Sequence, residues 1–226
     1  MTLQFNHFAV EEVRPGIFLY KFKEQYEMCM HFLRYQEFYE SPSSKIRGKH
    51  FTIFEFMKWY STAFGKGSFT YTRDWGGFNL NSSVFEEVRA GTTDHNIYDG
   101  QMMLAHDLIA VARNYEPFYV IGALGADRST IRHEIAHGFY SLNPQYRKDM
   151  NALVAALPKR TITAMHQWLK AVGYTPKVFK DEIQAYFATG IPGGIKYNFD
   201  IRDREKFDLK YVKPFKNTFN KYYKIK

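Results

Sequence analysis

Apolar and polar residues alternate at helical spacing over most of this chain, with short stretches of strand-like pattern between. Phe22, Tyr26, Met30 and Leu33 fall three or four positions apart, the spacing that lines one face of a helix. The apolar run over 17–39 therefore predicts a helix, led by a short strand over 17–20. Pro15-Gly16 opens it and Ser41-Pro42-Ser43-Ser44 closes it. A second helix is expected over 52–64, with Phe54, Met57, Trp59 and Tyr60 turned inward. Residues 69–72 alternate like a strand. Asp74-Trp75-Gly76-Gly77-Phe78-Asn79-Leu80-Asn81 reads as a tight glycine turn with Trp75 covering the core; its second reading is part of a substrate cleft.

The second half carries longer helical patterns. Met102, Met103, Leu104, Leu108, Ile109 and Val111 supply the apolar side of a helix over 98–114, in which His106 reads as structural. Residues 118–124, Phe-Tyr-Val-Ile-Gly-Ala-Leu, are the strongest strand signal. A helix over 128–142 follows, capped by Asp127 or Ser129 and stopped at Asn143-Pro144. Further helices are expected over 147–157, 161–172 and 177–189. The loop Gly190-Ile191-Pro192-Gly193-Gly194 comes next, with a possible hinge at its glycine pair. No repeat and no low-complexity tract is visible.

Composition narrows the class. The chain has 226 residues, 45% of them apolar, enough for a core that needs no disulfide. The single cysteine, Cys29, excludes an internal disulfide and any site built from several thiolates. No basic segment followed by an apolar run marks a signal peptide, and no apolar stretch of membrane-spanning length occurs. The expected location is the cytoplasm, or outside the cell as an effector secreted without such a peptide. Net charge is +8. Residues 202–226 hold nine basic and three acidic residues, interleaved with Phe207, Tyr211, Phe215, Phe219, Tyr222 and Tyr223. This favours an amphipathic segment whose aromatics dock on the body while its lysines face water, with an acidic partner open to it. Nucleic-acid binding by stacking and phosphate contacts is the less favoured alternative.

Residues 131–137, Ile-Arg-His-Glu-Ile-Ala-His, carry the candidate chemistry. On a helix, positions i and i+4 share a face, so His133 and His137 can aim both imidazoles at one metal ion. Glu134 then reaches a metal-activated water as general base. Ile131, Ile135 and Ala136 make this helix partly buried, and buried imidazoles need partners. A catalytic zinc keeps three protein ligands. Gly and His are absent at 140 and 143, where Tyr140 and Asn143 stand, which excludes the extended metzincin pattern. The downstream candidates are Asp149, His166, Asp181 and Glu182. Glu182 shares a face with Val178, Phe179 and Tyr186, so it is the expected ligand; Asp181 falls on the Lys177 side and reads as solvated.

With His133-Glu134-Ile135-Ala136-His137, the later Asp181-Glu182-Ile183-Gln184-Ala185-Tyr186 and a strand just ahead of the first helix, the chain resembles the gluzincins, the thermolysin-like zincins, over roughly residues 118–189. The resemblance implies an α+β fold, mainly helical, with a small sheet whose edge strand precedes the H-E-x-x-H helix. It implies one zinc ion on His133, His137 and Glu182, with Glu134 as base. It also implies a peptide lying along the strand, at Val120, Gly122, Ala123 and Leu124. A Tyr or His stabilises the oxyanion in that family; Tyr174 resembles the position used in lethal-factor-like members, and Tyr186, His166 and Tyr197 are the alternatives. The chain departs from the family in having Asp181 where an Asn precedes the ligand and Tyr186 where an Asp follows it by four. What orients the two imidazoles is therefore open.

The implied organisation is a helical region over 1–90 packed on a zincin-like catalytic core over 91–200, and the basic aromatic segment over 201–226. The implied activity is zinc-dependent hydrolysis of peptide bonds in a peptide or protein substrate, as an endopeptidase. The alternative is a binding protein that keeps the fold without proteolysis and engages nucleic acid or an acidic protein.

Overall fold

The computed structural model describes residues 2–193, 195 and 204–224. They fall into two compact units, Met1–Ile131 and Arg132–Lys226. The first unit is built on a five-stranded sheet of β1 (Thr2–Gln4), β2 (Phe8–Arg14), β3 (Ile17–Phe22), β4 (Gly77–Asn81) and β5 (Tyr119–Leu124). Its order is β1-β2-β3-β5-β4. Pro15-Gly16 makes the β2–β3 turn, with Gly16 at φ 75°, a conformation that costs glycine little. β3 runs parallel to β5, and the other neighbours are antiparallel. Both central strands are buried nearly throughout, as their unbroken apolar runs require.

The helices of this unit are α1 (Gln25–Glu40), α2 (Ile53–Ala63), α3 (Tyr71–Asp74), α4 (Ser83–Gly91) and α5 (Ile97–Ala112). Thr52 with Glu55, and Asn96 with Asp99, form reciprocal capping boxes that start α2 and α5. Arg34 on α1 donates to Asp99 on α5 at 3.0 Å, both groups buried. Phe32 of α1 lies so close over Gly122 that a Cβ there would collide with its ring.

The α+β class is the one expected, but four local features differ from the sequence reading. The strand before the H-E-x-x-H helix is not a sheet edge. β5 pairs with β3 on one side and β4 on the other along its length. Val120, Gly122 and Ala123 therefore stand between two paired strands and leave no sheet edge to a peptide, Leu124 pairs with β3 alone, and Val120 and Ala123 are wholly buried. Residues 77–81 form β4 rather than a turn, because their backbone pairs with β5. Residues 71–74 form a helical turn, held by Tyr60 and Thr70 hydroxyls that both donate to Asp74 Oδ2. In α2 the buried pair is Phe56 and Tyr60, and Phe54 is 83% exposed, since Phe54 lies about 200° around the helix from Phe56. The 1–90 region is not purely helical either, since it supplies four of the five strands; the units part at 131/132 because β5 is knitted to β3.

The second unit comprises α6 (Arg128–Leu142) from its second turn onward, α7 (Pro144–Ala155), α8 (Lys159–Ala171), α9 (Phe179–Thr189), α10 (Arg204–Phe207) and α11 (Lys213–Tyr223), the last two joined by a π-helical turn, Asp208–Val212. α6 has the bounds its cap and stop signals predict: Thr130 N–H donates to Asp127 Oδ1 at 2.9 Å, and Asn143 caps α7 in turn. The basic C-terminal segment belongs to this unit. Phe215, Phe219 and Tyr222 are buried, with Phe215 against Phe187 and Tyr222 against Tyr146, while Lys213, Lys216, Lys221 and Lys224 are exposed. Arg132 donates to Asn220 and stacks its guanidinium on Phe219 and Tyr223, tying α6 to α11. Among the described residues no helix is long and apolar enough to cross a membrane.

Glu37, at 2% exposure on α1, gives the first unit a pH signature. Burial pushes its carboxyl up to about 7, against hydrogen bonds from Ser41 and Tyr71 that pull it down. In the unfolded chain it ionises near 4.5, so folding costs more as pH rises from there to about 7 and levels off above. Glu37→Gln, which cannot ionise, is expected to stabilise the protein at pH 8 relative to pH 5 by roughly 2–3 kcal/mol. Denaturant unfolding of both forms at the two pH values checks this; parallel pH profiles would exclude a buried Glu37 titrating in that window.

Candidate metal centre

His133, Glu134 and His137 lie on α6, and Glu182 lies on α9. His137, Glu134 and Glu182 are buried, and His133 is half-buried. The Nε2 atoms of His133 and His137 face each other at 3.2 Å. Glu182 stands opposite both, with Oε2 at 3.7 Å from His133 Nε2 and Oε1 at 3.7 Å from His137 Nε2. Glu182 Oε2 is buried and has no hydrogen-bond partner.

The outer nitrogens decide what the inner ones present. His137 Nδ1 lies 2.9 Å from Asp181 Oδ1; a carboxylate only accepts, so that nitrogen carries the proton. His133 Nδ1 lies 3.2 Å from Thr189 Oγ1, whose own hydrogen goes to the Ala185 carbonyl at 2.7 Å. That hydroxyl therefore accepts, and His133 Nδ1 is also the protonated nitrogen. With both rings neutral, the Nε2 atoms are then the unprotonated nitrogens, turned toward each other and toward the Glu182 carboxylate. Such a grouping favours a positive charge among the three atoms, either a proton on His137 or a metal cation.

The dimensions suit zinc. Ligands at about 2.0–2.1 Å in a tetrahedron lie roughly 3.3–3.4 Å apart, and the three separations here are 3.2, 3.7 and 3.7 Å. Two imidazoles and a carboxylate are a donor set zinc takes in catalytic sites, leaving a fourth position open. Burial opposes charge on the His137 imidazole, but Asp181, Glu182 and Glu134 outweigh it and hold its pKa well above 6.5. The same negative field favours a metal cation in competition with that proton.

Glu182, expected as the third ligand, is thus brought to the two imidazoles. Asp181, expected to be solvated, instead bonds His137, because its carboxylate reaches across to α6 rather than out along its own helix. Asp181 and Thr189 take up the orienting role that the sequence left open. Among the oxyanion candidates, Tyr186 packs its ring 4.5 Å from that of His133, with Trp168 edge-on behind it at 5.2 Å. The Tyr174 hydroxyl hydrogen-bonds the Tyr186 hydroxyl; burial and the Glu182 carboxylate raise the Tyr186 pKa, so the phenol keeps its proton. His166 stacks on Phe179 instead, and Tyr197 lies outside the described residues. Two residues with no motif to mark them also join the site, Gln184 and Tyr146; their only sequence signal is polarity on otherwise buried helix faces.

A second trio of the first unit, Glu86, His106 and Asp107, has ligand-type atoms within 4.8 Å. There Asp107 is engaged by Arg89 at 2.6 Å, and His106 stacks on Phe85, the structural role expected for it.

The purified chain is expected to bind one equivalent of zinc and to unfold at a higher temperature with it. His133→Ala and Glu182→Ala are each expected to abolish stoichiometric binding in equilibrium dialysis. Full binding by both variants would place the metal elsewhere. Compared with known protein families, with curated proteins and with solved structures, the chain matches none.

Proposed function

We propose that the chain is a zinc-dependent metallopeptidase, with His133, His137 and Glu182 as metal ligands and Glu134 as general base. One observation carries this reading: two imidazole lone pairs and an orphaned carboxylate oxygen meet at one point, beside a second buried carboxylate on the same helix. A zinc ion held there supplies Lewis acidity toward a carbonyl and lowers the pKa of water toward about 7.

The chain's own groups do the rest. The Glu134 carboxylate takes a proton from the attacking water and returns it to the leaving amine nitrogen. Its charge is felt by both His137 and Tyr186. Asp181 and Thr189 keep the protons on the outer imidazole nitrogens. As the carbonyl carbon becomes tetrahedral, the Tyr174–Tyr186 phenol pair donates to the developing oxyanion. A general base, a phenolic donor and a Lewis-acid site together match what hydrolysis of an unactivated amide demands, and a peptide or protein is the substrate class this implies.

Glu134→Gln is expected to retain zinc and lose turnover of a peptide library by about 10²–10⁴-fold; a variant that cleaves at the wild-type rate would remove Glu134 from the mechanism. Tyr186→Phe and Tyr174→Phe are each expected to lower kcat by about 10-fold or more at unchanged zinc content. Unaltered kcat in both would assign the oxyanion to another donor.

A further inference from the structure

We propose that Gln184 is a positioning residue of the metal centre: its amide fixes the Asp181 carboxylate and, through it, the tautomer and aim of the His137 imidazole. The inference rests on the metal-site reading and deepens it, because Gln184 reaches none of the three inward-facing ligand atoms.

Gln184 is fully buried on α9, two residues beyond Glu182. Its amide has a partner at each end. Tyr146, also fully buried, donates its hydroxyl to Gln184 Oε1 at 2.9 Å. Gln184 Nε2 donates to Asp181 Oδ1 at 2.9 Å and to the Ala136 carbonyl at 3.3 Å. The orientation of the amide follows from its surroundings. A carboxylate and a carbonyl can only accept, so the NH2 end faces them, and the Tyr146 hydroxyl then meets the oxygen.

Two donors therefore converge on Asp181 Oδ1, Gln184 Nε2 and His137 Nδ1. Asp181 is a quarter exposed. Without the amide its carboxylate has water to turn to, and His137 loses the fixed acceptor that holds its Nδ1 proton. The second bond of Nε2 ends on Ala136, the residue immediately before His137. One side chain thus sets both the carboxylate behind the imidazole and the α6 turn that carries it. Burying a primary amide is costly unless every bond is made, and each bond made here ends on a neighbour of the ligand or on the Tyr146 clamp.

The test is a double-variant cycle on the full chain, with zinc affinity measured by chelator competition. Gln184→Met keeps the length and volume and removes the amide; Asp181→Ala removes the group it acts on. Each alone is expected to weaken zinc roughly 10–100-fold. The double variant is expected to bind within about 3-fold of the weaker single one, because Gln184 works through Asp181. If Gln184→Met costs the same factor with Asp181 already gone, or leaves affinity unchanged, the positioning role is overturned and the residue is packing only. Should Gln184→Met lack an unfolding transition, Tyr146→Phe carries the cycle: it removes only the clamp hydroxyl and is expected to weaken zinc roughly 3–10-fold with Asp181 present and not without it. Equal loss in both backgrounds, or none in either, again overturns the role. A wild-type chain that binds no zinc sinks the metal-site reading and this inference with it, whereas tight wild-type binding unmoved by these variants sinks the inference alone.

Discussion

Two imidazoles, one buried and one half-buried, that turn their Nε2 atoms toward each other and toward a buried carboxylate are the constraint on which the second unit turns. The arrangement of His133, His137 and Glu182 concentrates negative potential at one point, where a proton or a metal cation is favoured. Everything around it works to keep it so. Asp181 and Thr189 hold the protons on the far side of each ring. α9 contributes Glu182, the proposed third ligand, with its neighbours Asp181 and Gln184, and Thr189 two turns on. The same helix presents Tyr186 to the His133 ring. A single eleven-residue helix thus supplies most of the polar groups that surround the two histidines of α6.

The apolar packing of the unit serves that alignment. α11 places Phe215 on Phe187 of α9 and Phe219 on Phe139 of α6. Arg132, next to His133, is clasped between Asn220 and two aromatic rings of α11. The C-terminal helix therefore packs against both α6 and α9. Its aromatics are spent on this contact, which leaves its exposed face to lysine.

Much of this was legible along the chain where the signals are local. Asp127 and the Asn143-Pro144 pair bracket α6 because caps and prolines act within a few residues. Glu182 stood out because a carboxylate on a buried helical face needs a reason. Asp181 escaped for the opposite cause: judged on its own helix it faces Lys177, and only the approach of α6 shows that its carboxylate ends on His137. Residues 77–81 and the edge position given to β5 failed in the same way. A strand with two glycines at its head becomes a strand by pairing, and whether β5 is an edge depends on β3 and β4, which are far away in sequence. Gln184 and Tyr146 carry no spacing signature at all; their meaning exists only once three helices meet.

The parallel pairing of Ile17 with Tyr119 has a consequence for how the protein is made. β2 and β3 can zip into a hairpin as soon as they leave the ribosome, but the far side of β3 stays open until about a hundred more residues have been translated. During that interval an apolar strand presents bare amides and carbonyls to its surroundings, a template for unwanted pairing. Closure of the sheet is a long-range event and correspondingly slow. Nascent chains of this protein are thus most exposed to self-association before β5 emerges, and slow translation through α2–α5 would prolong that exposure.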